Sequence, residues 1–350
     1  MEIGLASLGD VLPDPVTEQL PSDARRHRSI VERCVEAEQL GFDNVHLGEH
    51  HGSGYQLSAP PVVLAAVGER TNRIRLSTGV TLVANLDPVR VAEDYATLDC
   101  LTGGRAEIVA GRGSYFARTF EYLGQDPRRS KQLFAEHVQL LVRLLGEEEV
   151  THAAGGLRPP LDRFTARPRP VQTPLPVWIG GGSSRDTVAL AGRLGLPLML
   201  PSVFAPIEAF APMAELYRTA WAEAGHAGRP ALGSISHCHV GVTSAAARAT
   251  FEPHYRRYWD WVQQLVQAYT PGAPALAFDY DTLLAGPAMC GSAEEVIDRI
   301  GSVQERLDLD RMAFMFDLGG MAEPTLCATL ERFGTEVLPV VAALGPRPNR

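Results

Sequence analysis

Glu49, His50 and His51 are consecutive and directly follow Asn44-Val45-His46-Leu47-Gly48, a run with the apolar pattern of a strand. Imidazoles titrate near neutral pH, so a strand ending in a carboxylate and two of them places acid–base groups where the loops of an α/β fold gather around ligands. Glu49 can hydrogen-bond an imidazole or a backbone amide and fix a tautomer. Strand alternation would set Glu49 and His50 on opposite sides, so that both do not point into one interior. Adjacent histidines rarely chelate one ion and no third ligand follows at metal-site spacing, so no metal is expected.

Two glycine turns also follow strand-like runs: Gly111-Arg112-Gly113, and Gly180-Gly181-Gly182-Ser183-Ser184 after Val177-Trp178-Ile179. The second opens a helix, so unpaired N–H groups, the positive end of the helix dipole and two hydroxyls can face a phosphate. It is not G-x-G-x-x-G, because Arg185 takes the third glycine's place, and it lacks a P-loop lysine. A flexible turn is the competing reading of the glycines alone.

The elements that must carry these residues alternate. Strands are expected at Ile3 to Ser7, Asn44 to Gly48, Ile74 to Leu82, Ala106 to Ala110, Val177 to Ile179, Leu196 to Leu200, Ser234 to Val242 and Met312 to Leu318. Helices are expected at Ser29 to Leu40, Ala59 to Arg70, Asp87 to Leu101, Ser130 to Leu145, Ser183 to Leu194, Pro206 to Ala224, Ala293 to Leu307 and Pro324 to Phe333. Gly146 to Pro176 reads as a proline-rich excursion with a short hairpin. An aromatic helix starts at Ser244, and the stretch from about Tyr255 to Pro287 reads as irregular, a candidate lid. Eight βα-like units favour a (β/α)8 TIM barrel, with an excursion after the fourth helix and a long irregular loop before the last strand. In a barrel the strand ends converge, so Glu49-His50-His51, Gly79-Val80, Arg112 and the Gly180 turn would share one pocket.

Composition fits this outline. The chain has 350 residues, 45% hydrophobic and 21% charged, and reads as one domain over 1–345 with a disordered tail at 346–350. Its net charge of −9 leaves no basic footprint for nucleic acid, and Arg25-Arg26-His27-Arg28 reads as the solvated approach to a helix. The five cysteines are too scattered for a zinc site or disulfide framework, and no apolar run reaches membrane-spanning length; a cytoplasmic location is expected.

Several motifs together resemble the bacterial luciferase-like superfamily of flavin-dependent monooxygenases and oxidoreductases. They are Gly41-Phe42-Asp43 before Glu49-His50-His51; Asp87-Pro88-Val89-Arg90 with Ala92-Glu93-Asp94; Thr102-Gly103-Gly104-Arg105; Gly111-Arg112-Gly113; and Pro168-Arg169-Pro170-Val171-Gln172 leading into Val177-Trp178-Ile179-Gly180-Gly181. The resemblance implies a TIM barrel, usually homodimeric, that binds FMN at the C-terminal ends of its strands. By position, Gly79-Val80 matches a strand-end bulge, often a non-proline cis peptide, that supports the isoalloxazine. Arg112 and Tyr115 match residues around the flavin and its phosphate, Gly181, Gly182, Ser183 and Ser184 match the phosphate turn, and His50 matches the catalytic histidine, with Glu49 and His51 as supports.

The implied activity is a two-component monooxygenase. A separate NAD(P)H flavin reductase delivers reduced FMN, which reacts with O2 to a C4a-peroxyflavin that oxygenates a small organic substrate. The bioluminescent members carry a reactive cysteine where this chain has Gly111, so light emission is not expected. Two other outcomes fit the resemblance: hydride transfer with the deazaflavin F420, and a non-catalytic flavin-binding protein.

Overall fold

The computed structural model describes residues 1–52, 54–114, 116–153, 155–275 and 278–345, so the expected tail at 346–350 lies outside the described residues. Strands β1 (Glu2–Ser7), β2 (Asn44–Leu47), β3 (Arg75–Thr78), β4 (Ile108–Ala110), β5 (Val150–His152), β6 (Leu161–Phe164), β7 (Val177–Gly180), β8 (Leu198–Ser202), β9 (Leu232–Val240), β10 (Ala288–Gly291) and β11 (Arg311–Met315) are separated mostly by helices. Eight run in the order β3-β2-β1-β11-β9-β8-β7-β4. Leu76 bridges Ala106 and Thr81 bridges Ala110, bringing β3 and β4 together, so the sheet nearly closes into the expected (β/α)8 barrel.

Alternation along each strand sorts the side chains between two cores. Ile108 and Ala110, Val177 and Ile179, and Met312 and Phe314 face the surrounding helices. Val109, Trp178, Met199, Ile235, Ala313 and Met315 face inward. The lower end of the interior is closed by charge. The Arg311 guanidinium pairs with the buried Glu107 carboxylate, lies 2.6 Å from Glu2 and stacks 4.4 Å from the Trp178 ring centre. Burial alone would raise the Glu107 pKa, but Arg311 and then Arg75 outweigh it and lower the value from 4.5 to about 2.

The differences from the sequence reading have local causes. The third strand ends at Thr78 rather than Leu82: Thr81 pairs with Ala110 one residue out of step with the Leu76–Ala106 bridge, so the chain bulges at Gly79–Val80, whose peptide is cis. The first helix spans Asp23–Leu40, with Ser22 accepting from the Arg25 amide, and stops at Gly41 in the left-handed conformation (φ 95°). It therefore includes the basic cluster, and Arg26 is not solvated: its guanidinium is buried 2.7 Å from Asp317 and donates to the Asp10 carbonyl at 2.9 Å. The segment expected to be irregular from Tyr255 is helical to Tyr269, part of Ser244–Tyr269, because Tyr255, Tyr258, Val262, Val266 and Tyr269 continue the 3.6-residue period of its buried face. Within the remainder a further helix spans Tyr280–Ala285, and β10, just beyond Pro287, pairs with the far half of β9. The excursion holds the expected hairpin, β5–β6, and Ala117–Tyr122 is a further helix, outside those expected from the sequence. No helix among the described residues is long and apolar enough to cross a membrane.

Removing one partner of the buried pair strands the other charge. Arg311→Met is expected to cost about 3–5 kcal/mol at pH 7 in urea unfolding. Because Glu107 titrates below its ordinary 4.5, the wild-type contribution is complete above that pH and lost as pH falls towards about 2; an unchanged midpoint in the variant would contradict this.

Candidate active site

The C-terminal ends of the strands surround a cavity of about 420 Å³, within the range of cofactor and ligand sites. Its wall includes Glu49, His50 and His51 after β2, Gly79 and Val80 after β3, Arg112 after β4, and Gly181, Gly182, Ser183 and Ser184 after β7. These expected site residues, far apart in sequence, thus meet in one pocket. Tyr115 lies outside the described residues. The expectation that Glu49 and His50 would face opposite sides fails: β2 ends at Leu47, alternation lapses, and both reach the cavity.

Glu49 is the tie among these loops. Its amide donates to the Val80 carbonyl at 2.9 Å, while its buried carboxylate accepts from the Leu82 amide at 2.8 Å and from His51 Nε2 at 2.6 Å. It therefore fixes the bulge after β3 and the orientation of His51 at once. His50 is held differently. Its ring lies 4.1 Å from that of Tyr55 and meets Phe116 edge-on at 5.4 Å, and its buried Nδ1 has no hydrogen-bond partner among the described residues. Burial, reinforced by His51 and opposed by the Gly48 carbonyl, lowers its pKa from 6.5 to about 4, so the imidazole is neutral at physiological pH.

At the other side, the helix Arg185–Leu194 begins without a side-chain cap, and the buried Oγ of Ser184 has no partner among the described residues. Among the described residues Arg112 hydrogen-bonds only Ser130 Oγ, at 3.4 Å, and burial lowers its pKa. Unfilled donors at a helix N-terminus beside a poorly paired guanidinium fit a phosphate. Between the two ends the glycines leave room for Val80: a Cβ on Gly111 would lie 2.2 Å from Val80 Cγ2, and one on Gly180 would lie 2.5 Å from Val80 Cγ1. The residues present suit a cofactor with a flat apolar ring and a phosphate. Sequence reasoning missed Thr187, Leu82, Tyr55 and Met315 on the wall; Thr187 was reachable as first-turn helix geometry, whereas nothing around Tyr55 marks it.

A family model described as luciferase-like monooxygenase matches residues 1–309, and the chain belongs to this family. It is 24% identical over 329 residues to the oxygenase component of a flavin-dependent trigonelline monooxygenase from Acinetobacter baylyi, covering 89% of this chain and 88% of that protein. It is 35% identical over 180 residues to an F420-dependent glucose-6-phosphate dehydrogenase from Intrasporangium calvum, covering 48% and 52%. Monooxygenase RslO1 from Streptomyces bottropensis shares the fold with a TM-score of 0.85 and 24% identity, covering 97% of this chain and 99% of that one. The oxygenating constituent of 3,6-diketocamphane monooxygenase from Pseudomonas putida, solved with FMN, does so with a TM-score of 0.78 and 17% identity over the full length of both. The chain is accordingly an oxidoreductase of a family whose members use flavin or F420.

If Gly111 is required by Val80, Gly111→Ala should destabilise the fold by about 1–3 kcal/mol, and Val80→Ala should recover part of that loss in a double-mutant cycle. Additive effects in denaturant unfolding would show that the contact does not matter.

Proposed function

We propose that the protein is the oxygenase of a two-component, FMN-dependent monooxygenase that transfers oxygen from O2 to a small organic substrate, with reduced FMN supplied by a separate NAD(P)H flavin reductase. The observation that carries this reading is the pairing, within one cavity, of an uncapped helix N-terminus beside Arg112 and a neutral, partner-seeking His50. The whole-length similarity to an oxygenase component supports the separate reductase. Reduced FMN, when bound, would supply the electrons that activate oxygen.

The chain's residues then divide the work. Arg112, Ser183, Ser184 and the first amides of the following helix hold the phosphate, with Gly181 and Gly182 keeping the turn open. Gly79 and Val80 form a wall for the ring. Aromatic and aliphatic side chains keep water out. His50, uncharged, accepts a proton from the reacting centre or returns one to it, while Glu49 and His51 hold the loop that presents it. The residues 1–345 act as one domain, and a cytoplasmic homodimer completes the reading. Reduced F420 in the same cavity, with hydride transfer, is the second reading, favoured by the F420-dependent relative.

Oxygen uptake coupled to product formation, with reduced FMN supplied by a reductase, tests the proposal. His50→Ala is expected to lower coupled turnover by about 100-fold or more; retention of wild-type coupling would remove His50 from catalysis. Since the folded imidazole titrates at about 4 rather than 6.5, the base form persists as pH falls, and kcat/KM should show no His50-dependent loss between about pH 7.5 and 5. An inflection near 6.5 that disappears in His50→Asn would contradict the burial argument.

A further inference from the structure

Around the ring of strands the cavity wall has two unlike arcs. Arg112, Ser183 and Ser184 come from the ends of β4 and β7, which are neighbours in the sheet. The opposite arc, over β9, β11, β1 and β2, carries Leu8, Tyr55, Ile235, Tyr258 and Met315, with Tyr258 on the helix after β9. Arg112 is the only lysine or arginine among the described residues lining the cavity, and the lining carboxylate, Glu49, is already bonded to His51 and the Leu82 amide. An anionic substrate on the second arc would lose its hydration without meeting a free cation.

Tyr55 and Tyr258 meet there through their hydroxyls, 3.1 Å apart. The two phenols carry two protons. One lies in the bond between them, and the other makes no hydrogen bond among the described residues. Both rings are fixed: Tyr55 lies against His50 at 4.1 Å and the edge of Trp261 at 4.6 Å, and Tyr258 against His237 at 5.5 Å and Trp261 at 6.1 Å. Burial raises both phenol pKa values above their ordinary 10, so both remain donors. Beside them His50 and Phe116 continue an aromatic panel that suits a flat ring.

We propose that the Tyr55–Tyr258 hydroxyl pair is the subsite that orients the substrate, donating its spare O–H to a carbonyl or hydroxyl oxygen of an uncharged, aromatic-sized apolar molecule lying against the His50–Tyr55–Phe116 panel. This rests on the reading above in that the Arg112 arc is left to the cofactor. A site built around a buried donor rejects the analogue that lacks the matching oxygen, so the pair sets specificity as well as position.

The test compares 2-naphthol, naphthalene and 2-naphthoate by equilibrium dialysis against the full chain, with and without saturating FMN. Wild type is expected to bind 2-naphthol at least about fivefold more tightly than naphthalene, as for one hydrogen bond, and 2-naphthoate most weakly. The double variant Tyr55→Phe/Tyr258→Phe should keep its naphthalene affinity and lose the preference, and at least one single variant should lose most of it. Should the double variant fail to fold, the single variants decide. A preference that survives all variants, or 2-naphthoate binding tightest, overturns the proposal. FMN affinity is measured in parallel: its absence in wild type counts against the cofactor reading, while the probe comparison on the flavin-free protein still decides the subsite.

Discussion

The ring of strands is held together least directly between β3 and β4, and the groups that complete that junction also shape the pocket. Leu76 and Thr81 exchange backbone hydrogen bonds with the β4 strand on either side of the bulge. Between them the Val109 amide is satisfied by the Thr78 side chain, at 3.0 Å, in place of a ladder carbonyl. Beyond the bulge, the Glu49 carboxylate receives the Leu82 amide that no strand reaches. A buried amide left unpaired costs about 1–3 kcal/mol, so this closure depends on a carboxylate from the neighbouring β2 loop. That same carboxylate orients His51 beside His50.

The consequences run along the barrel axis. At the lower end Arg311, Glu107, Glu2 and Trp178 fill the interior with charge that is fully paired. At the upper end the strand ends carry glycines, and Val80 occupies the space that side chains at 111 and 180 would need. A cysteine at 111, the feature expected of light-emitting relatives, has no room beside Val80 as it stands. The pocket therefore exists because one end is packed and the other is kept open by small residues around a bulge.

Most of the barrel was legible because its signals are local. Eight apolar runs gave strands, Gly41 stopped a helix, and Glu49-His50-His51 and the Gly180 turn marked strand ends. What stayed hidden depends on distant partners. Arg26 reads as a surface cation until Asp317, 291 positions away, is brought to it. The helix through Tyr269 was obscured by the glycines and prolines that follow it, although its own period was intact. Tyr55 lies in no regular element, and its hydroxyl finds its partner in Tyr258, 203 positions later.

The most direct measurement is an anaerobic equilibrium titration of the full chain with reduced FMN and, separately, with reduced F420. An FMN site at Arg112 predicts saturable binding of reduced FMN that weakens at least about tenfold in Arg112→Leu, the loss of a charge-assisted phosphate contact. Binding of reduced F420 alone, or FMN affinity indifferent to Arg112, would contradict it.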